Sequence, residues 1–324
     1  MTTTTTMDDT GLLDPFARLL DDVADMAMVR ALESGATPGP LWQGLVASGF
    51  LDALVAEDAG GAGLPFAAVA PLIEVLGAHG LPVPVADTMV ARAVLGRAAP
   101  VGPIVLVTSQ AQPVCGARFA DHALVDDGQV LVLSPLAALD PRATGVQGSS
   151  AMMLPGTPQG PVFARPAGGL RPVAAVLRAG LIAGAGARLT DMATAHANTR
   201  VQFGKPIGRQ QAVQQMLAVM AQDMVAARIA ARQGASRGLT VPLALAASAK
   251  ITASAAAARL AASAHAVHGA IGIAAQYDVQ ILTRRLHEWR LADGSEGYWA
   301  GVLGTARLQS AQTTVDWVRE AIFG

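Results

Sequence analysis

The thirteen residues from Thr199 to Gln211, TRVQFGKPIGRQQ, decide how the rest of the chain is read. They separate two long alanine-rich stretches of helical periodicity, and Gly204, Pro206 and Gly208 interrupt the pattern between them. Proline lacks an N–H and glycine loses more freedom in a helix than any other residue, so the chain must turn here before a second helix starts. The same turn carries Arg200, Gln202, Lys205, Arg209, Gln210 and Gln211, a dense set of donors in a chain with only 15% charged residues. Fork-shaped guanidinium donors on the rim of a turn can hold a phosphate or pyrophosphate through paired contacts. A solvated helix–helix turn has the same composition, since turns favour polar residues, so both readings stand at this point.

Around that turn, 324 residues are enough for two or three domains with a substantial core. Hydrophobic residues make up 52% of the chain and the mean hydropathy is +0.40, much of it alanine. The longest run without Asp, Glu, Lys or Arg, Leu260 to Tyr277, contains two histidines, Ser263 and Gln276. It reads as a tightly packed helix and the turn after it, not as a membrane span. Met1–Asp9 is a threonine run followed by acids, which is unlike a signal peptide and predicts a frayed tail within residues 1–12. The single cysteine, Cys115, allows no internal disulfide and fits a reducing cytoplasm, where it serves as a small hydrophobe. A net charge of −1 gives no reason to expect nucleic acid.

Residues 13–100 predict an α-helical domain. Pro15 after Asp14 opens an apolar-periodic pattern through Phe16, Leu19, Leu20, Val23 and Met26, and further helices are expected near 41–48, 65–78 and 86–97. The glycine-rich loop before Leu64 follows no strand and precedes no Lys-Ser/Thr pair, so it is not a phosphate cradle. Residues 101–168 change texture: short β-type runs at 104–108, 123–125, 130–133, 152–154 and 162–164 lie between Pro, Gly and Asp-Asp-Gly turns. From 169 to 324 the pattern is helical again, with helices expected at 173–199, from about 209, and at 241–267, 277–291 and 298–322. Val213, Leu217, Met220, Met224 and Ala227 recur at three- and four-residue spacing, a core stripe in a helix bundle.

The central run resembles the R-x-Q-F-G-K-P-I-x-x-x-Q-A signature of the acyl-CoA dehydrogenase family of flavoproteins, through Arg200, Gln202, Phe203, Gly204, Lys205, Pro206, Ile207, Gln211 and Ala212. The resemblance extends over essentially the whole chain. It implies three domains, mainly α with a small β domain: an N-terminal helical domain, a middle β domain and a C-terminal helical bundle carrying the FAD and oligomer interface. It also implies that the arginine and the two glutamines contact the pyrophosphate and adenine end of FAD across a subunit interface. Two departures matter. The middle region is about two-thirds of the length expected, and the family's T-E-P and G-S-D motifs, which line the flavin ring and acyl chain, have no counterpart.

Two further stretches resemble the family's sites. His265-Ala-Val-His-Gly-Ala-Ile-Gly272 is similar to its Q-x-H-G-G-x-G loop, which would place His268, Gly269 and Gly272 along the FAD of a neighbouring subunit. Ala266 and Ala270 depart from the pattern, and by composition alone the stretch is a helix cap and turn. His265 and His268 have no carboxylate or cysteine at ligand spacing, so no metal is expected. Asp293-Gly294-Ser295 falls on the family's E-G-T motif, which implies Ser295 beside the cofactor and Asp293 at the place of the catalytic base. A base there must sit in an apolar pocket that raises its pKa. Asp is about 1.5 Å shorter than Glu, and a misplacement of about 1 Å can cost on the order of a hundredfold in rate. Some family members carry the base near the start of the first C-terminal helix, where this chain has Leu177 beside Arg178.

Three roles for Asp293 are open: a working base, as in the related nitroalkane oxidases; a vestigial carboxylate in a subunit whose partner does the chemistry; or the start of the last helix. The short middle domain and the aspartate resemble the small subunits of actinobacterial heteromeric acyl-CoA dehydrogenases acting on steroid side-chain thioesters. The expected function is thus an FAD-dependent subunit oxidising an acyl-CoA, cytoplasmic, paired with a homologous subunit in a heterotetramer and passing electrons to an acceptor such as electron-transfer flavoprotein. The alternatives are a self-sufficient homo-oligomeric flavoenzyme with Asp293 as base, and a scaffold that has lost FAD.

Overall fold

The computed structural model describes residues 11–324; the threonine-rich stretch Met1–Asp9 lies outside the described residues. The N-terminal helices are α1 (Leu13–Val23), α2 (Met26–Glu33), α3 (Gly39–Ser48), α4 (Phe66–Ala78) and α5 (Val85–Leu95). The apolar pattern running through Met26 predicts one helix, and the chain makes two. Asp25 takes an extended conformation and accepts a hydrogen bond from Met28 N at 2.8 Å, so a side-chain cap competes with helix continuation and wins.

The middle of the chain forms a four-stranded sheet in the order β1 (Ile104–Val107), β2 (His122–Asp126), β3 (Val130–Pro135), β6 (Val162–Ala164). The first pair is parallel and the others antiparallel. Two-residue strands β4 (Arg142–Ala143) and β5 (Met152–Met153) pair beside it. All four residues of β1 are buried, which explains their unbroken Ile-Val-Leu-Val run: both faces of this strand are covered.

The bundle is built on α6 (Arg171–Thr199), which packs against α4, α7 (Gln211–Ala235), α8 (Leu243–His268) and α9 (Val279–Leu291). Alanine and glycine on this helix let backbones approach closely. A Cβ on Gly184 would lie 1.8 Å from the Glu74 carbonyl oxygen, and one on Gly77 would lie 2.1 Å from that of Leu181, so the α4–α6 crossing admits no side chain at either place. α6 is long and apolar enough to cross a membrane, but 89% of its most apolar window is buried inside the protein, where it serves as the central core helix.

The final helix differs from expectation. α10 (Glu296–Leu308) stops, and α11 (Thr314–Val318) with a π turn at 319–323 follows. Arg307 donates to the carbonyls of Ser310 and Gln312, while Thr313 caps α11 by accepting from Asp316 N. Local side-chain bonds have replaced one turn of helix.

Candidate active site

The turn at 199–211 is a tight hairpin. β7 (Val201–Gln202) pairs antiparallel with β8 (Lys205–Pro206), and Phe203 and Gly204 form the two-residue tip with φ of 52° and 76°. Two consecutive positive φ values are the signature of a type I′ turn, which favours glycine or asparagine, not phenylalanine. Phe203 is nevertheless at the tip and 88% exposed. Arg200, Gln202 and Gln211 are exposed beside it, and their side chains make no hydrogen bond among the described residues. Ile207 is buried and anchors the hairpin to the bundle, while Ile207 N donates to Arg200 O at 2.9 Å. The donor set is therefore presented outward on a fixed base.

The histidine-glycine stretch lies against the same end of α6. The His268 ring stacks on His196, one turn before Arg200, with centroids 4.6 Å apart, and meets Tyr277 edge-on at 5.5 Å. His268 Nδ1 donates to Ala264 O at 2.8 Å, which leaves its buried Nε2 without a partner among the described residues. Burial, with His268 and Arg200 alongside, lowers the His196 pKa and favours the neutral ring. Gly269 is exposed with φ of 61° and open space where a Cβ would be, while Gly272 is buried under the His268 side chain. Two of the three expected constellations are thus neighbours in space. Among the described residues, no group of three His, Cys, Asp or Glu side chains is placed to hold a metal.

The third constellation lies elsewhere and is differently engaged. Asp293 is 5% exposed with φ of 57°, and its carboxylate points inward. Arg178 Nε donates to Oδ2 at 2.9 Å and Thr108 Oγ1 donates to Oδ1 at 2.8 Å. The two terminal nitrogens of Arg178 make a bidentate contact with Asp87, at 2.7 and 2.9 Å. Burial opposes the Arg178 charge, but Asp87 and Asp293 outweigh it and hold the pKa above its ordinary value; burial raises that of Asp87. Close by, Lys250 is fully buried and donates to the carbonyls of Trp289 and Arg290 at 2.7 Å each and to Ser254 Oγ at 3.0 Å. Burial pushes this ammonium down to about 7, with Asp293 pulling the other way. Two cations and two carboxylates thus lock the loop between α9 and α10.

Arg178 borders voids of about 10 and 20 Å³, the smaller of which also touches Asp293, each with room for about one water. A larger opening of about 370 Å³ is lined by Thr108 and Trp299, both bonded to Asp293. The role of Asp293 as first residue of the last helix is corrected: the cap is Ser295, whose Oγ accepts from Tyr298 N at 3.4 Å, and Asp293 is turned inward two residues earlier. Asp87 and Lys250 were not singled out by the sequence as partners. The available signal is the lone charge each of Arg178 and Lys250 places in an apolar helical run, because a buried cation needs a partner.

Residues 173–306 match the family described as acyl-CoA dehydrogenase, C-terminal domain. The C-terminal helical bundle is similar to that of the acyl-CoA dehydrogenase family. Members of this family are oxidoreductases acting on CH–CH donors and generally bind FAD. Acyl-CoA dehydrogenase IpdE2 of Mycolicibacterium smegmatis is 29% identical over 291 residues, spanning 85% of this chain and 91% of that protein. The ChsE4–ChsE5 complex of Mycobacterium tuberculosis superposes with a TM-score of 0.81 at 21% identity, over 96% of this chain and all of the matched one. The Tcur3481-Tcur3483 steroid ACAD gives 0.78 at 22% identity, over 93% of this chain and 98% of that one. Both structures establish the three-part fold: helical domain, short β domain, helical bundle.

Proposed function

We propose that this chain is an FAD-binding subunit of an acyl-CoA dehydrogenase that acts with a homologous partner, removing hydrogens across the α,β bond of a steroid side-chain or fatty acyl-CoA thioester. The observation that carries this reading is the engaged state of Asp293, both of whose oxygens are held by buried donors. A carboxylate whose two oxygens are taken by Arg178 and Thr108, and which lines a void of about 10 Å³, is poorly placed to take a proton from a thioester. The base is therefore assigned to the partner subunit, and Asp293 to holding the loop.

The spacing along α6 supports the partnership. Arg178 touches Asp293, and Arg200 follows twenty-two residues on, about 33 Å at the helical rise. One copy cannot grip a diphosphate with its hairpin and present its own Asp293 to the reacting end of the same cofactor. The residues present fit the group. Arg200, Gln202 and Gln211 offer unspent donors suited to a diphosphate. His268 Nε2 is a buried polar atom lacking a partner, and Gly269 leaves its backbone open to close approach. Phe203, held at positive φ and exposed, is an aromatic ready to be covered by an adjoining subunit. When bound, FAD would supply the acceptor for the hydride leaving the β-carbon.

The test is the visible flavin spectrum of the full chain purified alone and after co-expression with a homologous acyl-CoA dehydrogenase subunit. Flavin retained only in the pair is expected. Flavin held stoichiometrically by this chain alone, with turnover, would make it self-sufficient, and a colourless pair would leave it a scaffold.

A further inference from the structure

A cleft of about 400 Å³ opens where the turn between α7 and α8 meets the last residues of the chain. α7 runs 25 residues from the hairpin to this turn, about 36 Å at the helical rise, and the cleft shares no lining residue with the openings around Asp293. Ser310, Gln312, Trp317 and Glu320 in its wall lie past the residues matched to the family. The volume falls in the range of about 300–1,000 Å³ occupied by small-molecule sites.

Its outer wall is held by side-chain bonds. Arg307 donates to Ser310 O at 3.2 Å, to Gln312 O at 2.9 Å and to Thr314 Oγ1 at 3.1 Å, which fixes the turn after α10. Gln312 Nε2 donates to Glu320 Oε2 at 2.5 Å, and Gln233 Nε2 of α7 donates to Ile322 O at 3.2 Å, tying the final turn to the bundle. A wall fixed in advance leaves little for a ligand to order.

Two opposite charges line the cleft and neither is spent on the other. Arg237, exposed on the α7–α8 turn, makes no hydrogen bond or ion pair among the described residues. Glu320 accepts only from the neutral Gln312, which leaves Oε1 without a partner among the described residues. The other charges nearby are engaged: Asp316 pairs with Arg319 at 3.5 Å, and Arg307 is bonded to the turn it fixes. Gly324, where the sequence stops, also lines the cleft, and a carboxylate there would add to the acidic charge. Buried Leu245, with Pro242 and Ile322, supplies an apolar floor, and the half-buried Trp317 adds an indole that makes no side-chain hydrogen bond among the described residues.

We propose that this cleft binds an α-amino acid with a large apolar side chain, as its zwitterion, at a site apart from the flavin and thioester chemistry. The guanidinium of Arg237 suits the carboxylate through paired contacts. Glu320 and the face of Trp317 suit the ammonium, and the apolar floor suits the side chain. A carboxylic acid without the amine would bring its charge beside Glu320, and an amine without the carboxylate would leave Arg237 unanswered.

L-Phenylalanine, N-acetyl-L-phenylalanine and L-phenylalaninamide are titrated by calorimetry into the full chain, tagged at its N-terminus, alone and with its partner subunit. L-Phenylalanine should bind saturably, and each analogue, lacking one of the two charges, at least about tenfold more weakly. Arg237→Gln should weaken L-phenylalanine by about tenfold and leave L-phenylalaninamide unchanged; Glu320→Gln should weaken L-phenylalanine and leave N-acetyl-L-phenylalanine unchanged or tighter. Both side chains are exposed, so the melting temperature should not move, and the comparison of the three ligands on the unaltered chain needs no variant. Absence of saturable binding, equal affinity for either analogue, or an L-phenylalanine affinity indifferent to both substitutions would overturn the assignment. So would loss of binding on adding the partner subunit, which would give the cleft to a protein surface.

Discussion

Replacing Arg178 by methionine should be among the most damaging single changes in this chain. The guanidinium is 3% exposed and makes three hydrogen bonds, two to Asp87 and one to Asp293. Methionine fills similar space but leaves two buried carboxylates with their bonded cation gone, and Lys250 donates to carbonyls and a hydroxyl, not to either acid. Breaking a buried pair by removing one partner costs about 3–5 kcal/mol. With about 2–4 °C lost per kcal/mol in domains of 150–250 residues, and the smaller figure suited to a chain this long, the melting temperature should fall by roughly 6–10 °C. Neutralising the whole cluster behaves differently, because the desolvation of three ions is removed along with their attraction. Asp87→Leu, Arg178→Met and Asp293→Asn together should lie within about 2 kcal/mol of the parent. Urea unfolding followed by circular dichroism, with unchanged slopes, reads both variants. The reasoning is refuted if Arg178→Met costs less than about 1 kcal/mol, or if the triple variant is as unstable as the single one.

Asp293→Asn keeps the shape that accepts from Thr108 and tolerates positive φ, so turnover by the assembled enzyme should change by less than about threefold; loss of a general base would cost about 10²–10⁴-fold. Progress curves with the partner subunit decide between the two. Lys250 gives a pH signature. Its pKa is lowered by burial to about 7 in the folded chain against an ordinary 10.5, so the unfolded chain binds more protons across that window and stability rises with pH there. Plotted against pH between about 7 and 10, the stability of the parent should climb relative to Lys250→Met; a flat or falling difference contradicts the shift.

The helices were legible because alanine, leucine and valine repeat at the helical period from 173 onward, and α6, α8 and α9 begin and end within a few residues of expectation. The strands showed through their β-branched runs and turn residues. What escaped was local competition and distant pairing. The caps at Asp25 and Thr313 divide apolar patterns that read as continuous helices, because one side-chain bond outweighs propensity over a few residues. The hairpin at 201–206 was seen as a turn, since Phe203 is a poor residue for the tip of a type I′ hairpin. The Asp87–Arg178–Asp293 cluster joins residues 91 and 115 positions apart, and no spacing within a helix or strand predicts such contacts. The motif resemblance singled out Asp293, and packing shows that its carboxylate is bonded to Arg178 and Thr108.

The most direct measurement of the central idea is the flavin content of the purified two-subunit complex carrying Arg200→Ala in this chain, compared with the unaltered complex. The side chain is exposed and makes no contact that holds the bundle together, so thermal unfolding of the isolated chain should be unchanged. If the hairpin grips the diphosphate, FAD per complex falls and the remainder dissociates faster on dilution. Full flavin occupancy with unaltered release would show that this hairpin does not hold the cofactor.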